Sequence, residues 1–246
     1  LTAGAAPGTD LTVPGVVLVD PAEQGQSADA AGAVSSDVPA VRIVNPGDQA
    51  ATVSLSMLGP EGESQLAGAS GVVVDPGAVF DISLAGVSPG AYGVHVTSDR
   101  AVGAAVRLVR SGGEYPARSG ALVHDVGWIQ AQDSQATVSG ALTLPAGGMT
   151  STLTISNSGA AAAAIAIAAA DGSWSQEVGV PAGSTVAPEL PAGVSALTLR
   201  GAEGASVAAA AVVTAEVGGD VPGTLIAVVP PVSDAAVADA LSLLPR

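Results

Sequence analysis

Apolar and polar positions alternate along most of this chain. At Val41-Arg42-Ile43-Val44-Asn45-Pro46-Gly47 every second residue is apolar, and an Asn with a Gly two places later closes the run. The arrangement returns at Leu153-Thr154-Ile155-Ser156-Asn157-Ser158-Gly159. Period-two alternation marks a strand with one buried face. Asn and Gly suit the turn that follows because both tolerate positive φ. What comes after each block matches as well. Val53 and Leu55 return as Ile165 and Ile167, Glu61-Gly62 as Asp171-Gly172, and Asp75-Pro76-Gly77 as Pro181-Ala182-Gly183. Val94 and Val96 return as Leu197 and Leu199, and the run 102–108 as 207–213. The correspondence covers roughly seventy residues per copy, so the chain reads as two copies of one β-unit.

Taken in order, residues 1–10 are small and polar and are expected to be loose. Strands are expected at 13–19, 41–44, 52–57, 72–74, 79–84, 90–96 and 102–109, with turns at 45–48, 60–63 and 75–77 and a loop at 24–36. One segment is contested. Residues 160–170 are rich in Ala and form the best helix in the chain on propensity. Their counterpart in the first copy alternates Val and Leu with Thr and Ser, and context outweighs propensity, so both are read as strands. After Pro230-Pro231, Ser233 or Asp234 can cap a short helix with Val237, Leu241 and Leu244 on one face. Such a helix is too short to stand alone, which makes the tail frayed or loosely docked.

The fold class is therefore all-β: two tandem immunoglobulin-like β-sandwich domains from an internal repeat, lacking the Cys pair and core Trp of antibody domains. They are placed at 1–122 and 123–232, with a helical or disordered tail at 233–246. Residues 120–123 resemble 223–226. That segment closes the first sandwich, opens the second or passes between them, and the boundary carries an error of about ten residues.

Composition thins the core. Apolar residues make up 48% of the 246, much of it Ala and Val, and aromatics only 2%; small side chains bury little area each. Charge narrows the partners. There are 22 acidic residues against seven basic ones, all Arg, for a net −15. Such a chain repels phosphate backbones and anionic lipid, so nucleic acid is not expected as a partner. Solubility is the plain reading of the acidity. With no cysteine there is no disulfide, thiolate metal site or Cys nucleophile. No apolar run has the length of a membrane span, and direct membrane insertion within this chain is not expected. The chain begins at Leu1 rather than Met, and a signal or anchor segment is expected to have lain before it.

Little of the sequence points to catalysis. Gly86-Val87-Ser88-Pro89-Gly90 fits the G-x-S-x-G pattern of serine hydrolases. That motif, however, needs a strand-to-helix elbow and a backbone N–H after the Ser, and Pro89 has none. His95 lies between Val94 and Val96 and is expected to point away from their face into solvent, whereas Phe80, on the face of Ile82, is expected in the core. His95 and His124 are far apart, and nothing marks a further metal ligand. Several acids sit in turns (Asp20-Pro21, Asp75-Pro76, Asp171-Gly172) where turn chemistry explains them. No catalytic, cofactor-binding or metal-ligating residue is assigned, and no cofactor is expected. Trp174, after the Asp171-Gly172-Ser173 turn, and Trp128, near the boundary, are the candidate contact residues. Either they fill gaps at a loop base or between domains, or they stack on a sugar ring or anchor a partner.

The blocks Asn45 to Gly62 (N-P-G…A-T-V…L-G-P-x-G) and Pro76 to Tyr92 (P-G…P-G-x-Y) carry a resemblance. They are similar to an actinobacterial family of secreted or membrane-anchored, Ala/Val/Gly-rich, Lys-poor proteins catalogued only as a domain of unknown function. The second copy matches weakly, with Ser158 for the Pro and no aromatic at the place of Tyr92. The resemblance implies an extracytoplasmic location and supplies no activity and no functional residues. The expectation is a non-enzymatic module of the cell envelope, a spacer, scaffold or assembly component, with an envelope protein or polysaccharide as partner. The alternative is a glycan-binding module using exposed Trp residues. A hydrolase ranks last for want of a base–nucleophile pair.

Overall fold

Residues Gly90–Glu114 form a single strand of 25 residues, along which the first half of the molecule is assembled. The computed structural model describes residues 6–24, 38–145 and 147–233. In chain order the first half comprises β1 (Gly8–Leu18), a 3-10 turn (Pro21–Gln24), β2 (Ala40–Val44), β3 (Ala51–Gly59), β4 (Gly62–Gln65), β5 (Val72–Val74) and β6 (Val79–Ser83). The long strand is β7, followed by β8 (Leu122–Gln130) and β9 (Gln132–Asp133). The first part of β7 pairs antiparallel with β1 and β3, placing Val94 beside Val13 and Val96 beside Leu55. Beyond β3 lie β4 and β5. The second part of β7 pairs with β2 and β8, with β6 beyond β2. One strand thus belongs to both layers.

The second half repeats the scheme with β10 (Ser139–Thr143), β11 (Met149–Asn157), β12 (Ala163–Ala169), β13 (Ser175–Val180), β14 (Ser184–Val186), β15 (Ala196–Gly201), β16 (Val207–Val217), β17 (Gly223–Val229) and β18 (Val232–Ser233). Here β15 pairs with β10 and β12, and β16 with β11 and β17. β13 flanks β12, β14 flanks β11, and β18 flanks β10 just as β9 flanks β1. The counterpart of β7 is broken in two, at a turn where the Ala205 N–H donates to the Ala202 carbonyl. Gly223 of β17 pairs with Gly112 of β7, joining the strands into a 13-stranded and a five-stranded sheet.

Two hydrophobic clusters fill these layers. The first includes Val41, Ile43, Val53, Leu55, Val94, Val96, Val106 and Leu108; the second includes Leu153, Ile155, Ile165, Ile167, Leu197, Leu199, Val207 and Ala209. The Ala-rich segment is the strand β12, with Ile165 and Ile167 fully buried. Burying each isoleucine contributes about 1.5–3 kcal/mol, more than the tenths of a kcal/mol by which Ala favours helix.

The two halves meet through strands that are covered on both sides. Residues 207–213 of β16 are all buried. Val207, Ala209 and Ala211 enter their own core, while Val212, with Ile226 of β17, joins the core of the first half. Small residues make this approach possible. Gly15, at φ +77°, would place a Cβ 3.0 Å from Cβ of Ala210, and a Cβ on Gly93 would collide with the Ser156 hydroxyl. Polar atoms along the seam are paired: Ser156 with Thr185 at 2.8 Å, and the Gln132 amide donating to the Ala209 carbonyl at 3.1 Å. Left unpaired, such groups would each cost about 1–3 kcal/mol.

Several local expectations change. Residues 8–10 are not loose; they extend β1 along β7. The expected strands at 90–96 and 102–109 are one strand. Phe80 faces the same way as Ile82 but is 44% exposed, because β6, among the described residues, pairs only with β2 and lies at a sheet edge. The segment after Gly120, whose role the sequence left open, pairs with β7 of the first half. Most of the expected loop at 24–36, and the tail from residue 234 onward, lie outside the described residues.

Candidate functional site

Trp128 lies on the outer face of β8, directly across from Arg107 of β7. Two strands further on, Arg42 and Asp81 face each other across β2 and β6. Alternation puts all four side chains on the same side of the sheet. The Arg42 guanidinium lies 4.8 Å from the Trp128 ring centroid and that of Arg107 5.9 Å, both within reach of the negative ring face. Arg42 donates to both Asp81 oxygens, from Nε at 2.8 Å and from Nη2 at 2.7 Å. This fork holds the Asp81 carboxyl below its ordinary value and Arg42 above its own. Arg107 is nearly buried and donates to the Val38 carbonyl at 2.9 Å.

Trp128, 42% exposed, is one of the residues lining a cleft of about 440 Å³ between the two halves. Gln130, Gln132, Asp133, Thr137 and Ser139 supply polar groups, while Val138, Val207, Val228 and the Pro230-Pro231 pair supply the apolar wall. The arrangement combines one aromatic side chain with amide and hydroxyl donors and acceptors. Asp133 is the one acidic residue among the described lining residues, and two-carboxylate hydrolysis would need a second.

Trp174 is placed differently. It follows a turn in which the Asp171 carboxylate accepts from the Ser173 N–H at 2.9 Å, and its own carbonyl accepts from the Ala169 N–H at 2.8 Å. Hydrogen bonds from the Ser173 hydroxyl and backbone hold Asp171 below the ordinary carboxylate value. The ring is half-buried and packs against the second core. Trp128 and Trp174 therefore do not come together.

His95 is not the solvated side chain its alternation suggests. Its side chain is 15% exposed, with Nε2 2.9 Å from Asp10 and Nδ1 3.3 Å from Glu63. The outer face of its sheet is where the second half docks, and alternation along β7 does not reveal that cover. Burial alone would raise the Asp10 pKa, but hydrogen bonds from Ser134, His95 and Gln135 outweigh it and bring it below the ordinary value. His124 is elsewhere, on β8, its Nε2 buried without a hydrogen-bond partner among the described residues. Asp125 beside it accepts from the Ile226 N–H across the seam at 2.7 Å. Among the described residues no group of three or more His, Asp or Glu is arranged to hold a metal ion. No helix among them is long and apolar enough to cross a membrane. Ser88 of the G-x-S-x-G match sits in the turn that enters β7, where no helix follows.

The chain belongs to the family of unknown function DUF5719, whose model matches residues 1–191, from before β1 to just past β14. No curated protein and no solved structure matches it.

Proposed function

We propose that this protein is a non-enzymatic structural or interaction module of the cell envelope, built from two tandem immunoglobulin-like β-sandwiches at residues 8–133 and 139–233. It acts outside the cytoplasm as a spacer or assembly component. The observation that carries this reading is the seam between the halves. A spacer fixes a length and an angle only if its joint does not bend, and domain joints that are small and polar do bend. Here β16 is buried on both faces, and Val212 and Ile226 enter the core of the other half. The envelope setting is supported by the resemblance drawn from the Asn45–Gly62 and Pro76–Tyr92 motifs. Labelling intact producing cells with an antibody to this chain tests it. The reading expects signal without permeabilisation; signal only after lysis would rule out an extracytoplasmic role.

A second reading, a glycan-binding module, is favoured by the half-exposed Trp128 lining the polar cleft. Arg42 already lies over one face of that ring at 4.8 Å, so a sugar must displace it or use the rest of the ring. Titrating neutral envelope polysaccharide fragments against intrinsic Trp fluorescence decides the matter. A saturable shift abolished by Trp128→Phe supports glycan binding, and a flat trace removes it.

A further inference from the structure

The last described residues of the chain are part of the cleft between the halves: Pro230, Pro231 and Ser233 line it together with Trp128 and Ala136. β18 is held firmly there. It lies against β10 so closely that a Cβ on Gly140 would collide with the Val232 carbonyl. The pairing is antiparallel, with Val232 opposite Ala141 and Ser233 opposite Gly140. The chain therefore leaves Ser233 pointing past Ser139 toward Val138 and Thr137, and all three of these line the cleft.

The accessible lining is largely apolar. Trp128, Ala136 and Pro230 are exposed and Val228 and Pro231 half-exposed, while Val207 and Ala210 are buried. Residues 234–246 lie outside the described residues, but their sequence carries a matching surface. Val237, Leu241 and Leu244 recur at helical spacing, and Asp239 and Arg246 fall on the opposite side. With Ser233 taken into β18, Asp234 is left to cap such a helix. A helix with its side chains is about 10–12 Å across. A cleft of about 440 Å³ thus admits its apolar side chains and not its whole body. Attachment at Ser233 also favours this segment over a free ligand. A short tether holds it at an effective concentration on the order of millimolar, so a weak contact suffices.

We propose that residues 234–246 occupy this cleft, with Val237, Leu241 and Leu244 set against Trp128, Val228 and the Pro230-Pro231 pair. Trp128 belongs to the first half and Val228 to the second, so the tail ties the two together at their seam. A soluble ligand of the cleft has to displace it. The inference does not depend on the envelope location, and it gives the cleft an occupant from the chain itself in place of a sugar.

Pulsed electron resonance on the full chain tests it, with spin labels on Glu203→Cys, in an exposed turn, and Asp239→Cys, on the side of the tail away from the cleft. One narrow distance distribution is expected. Leu241→Asp with Leu244→Asp removes the apolar face of the tail, and Ala136→Arg fills the cleft from the other side. Each change is expected to broaden the distribution. Neither touches a residue of the two cores, so both variants are expected to fold. A broad distribution in the unchanged tail leaves the cleft to a soluble ligand and overturns the proposal. A narrow one that ignores Ala136→Arg places the tail elsewhere and overturns it too. Trp128 emission, read in a Trp174→Phe background, needs no label. The Leu241→Asp, Leu244→Asp chain is expected to emit at longer wavelength and to be quenched more strongly by acrylamide. Unchanged emission and quenching would contradict contact between the tail and Trp128.

Discussion

Asn45 and Asn157 make the same bonds at the same places in the two halves. Each amide donates to the carbonyl four residues on, Gln49 and Ala161, both at 2.8 Å. Each donates again to a carbonyl before the next turn, Val74 at 2.9 Å and Val180 at 3.0 Å. Each Oδ1 accepts from the glycine N–H two residues on, Gly47 at 3.0 Å and Gly159 at 2.9 Å. Both asparagines are 1% exposed. The recurring Asn and Gly are therefore more than turn formers: the side chain is a buried clamp tying one sheet edge to the turn beside it.

Replacing either clamp by Ala leaves buried carbonyls and an N–H without partners, each a loss of about 1–3 kcal/mol. Asn45→Ala and Asn157→Ala are each expected to lower the urea midpoint far more than Gln135→Ala at the exposed surface. Equal midpoints for all three would show that the clamps carry no stability.

Gly93 is the tightest point of the seam, since a Cβ there meets the Ser156 hydroxyl. Gly93→Val is expected to force the halves apart and cost about 1–3 kcal/mol by overpacking. Urea unfolding followed by Trp fluorescence should then separate into two steps, one for Trp128 and one for Trp174. A single step at an unchanged midpoint would mean the seam yields easily.

Asp10 gives the pH dependence its sign. Its pKa in the folded chain lies below the ordinary 3.8, so its contribution is present above that value and is lost as pH falls through the lower folded value. The carboxylate is 41% exposed, and screening keeps the effect below about 1 kcal/mol. The stability gap between wild type and Asp10→Asn is expected to be full at neutral pH and to close in acid below 3.8. A gap that widens in acid would contradict the assignment.

The two tryptophans should report differently. Arg42→Ala is expected to shift the emission of Trp128, measured in a Trp174→Phe background, at a stability cost of about 0.5–1 kcal/mol. Acrylamide should quench Trp128 more strongly than Trp174, which packs against the second core. Equal quenching would contradict the two placements.

The strands and the repeat were legible because alternation is a local signal. Even the Ala-rich β12 could be read, through its counterpart Val53 and Leu55. Alternation tells which side chains share a face but not what covers that face. His95 therefore read as solvated, although Asp10 and Glu63 hold it close to the seam. Phe80 read as core because its parity is right, while its place on an edge strand depends on sheet order. The seam itself left no mark, because Gly15, Gly93, Ala208 and Ala210 are small residues of the kind found throughout the chain. The Arg42–Trp128 contact was hidden by distance: it spans three strands whose order only the fold defines.

The central claim is that the two halves form one unbending body. The chain has no cysteine, so cysteines introduced at the exposed turn residues Glu61 and Glu203 carry spin labels without background. Pulsed electron resonance on dilute protein should give one narrow distance distribution, unchanged by moderate urea below the unfolding midpoint. A broad or two-peaked distribution would show a hinge between the halves and contradict the rigid spacer.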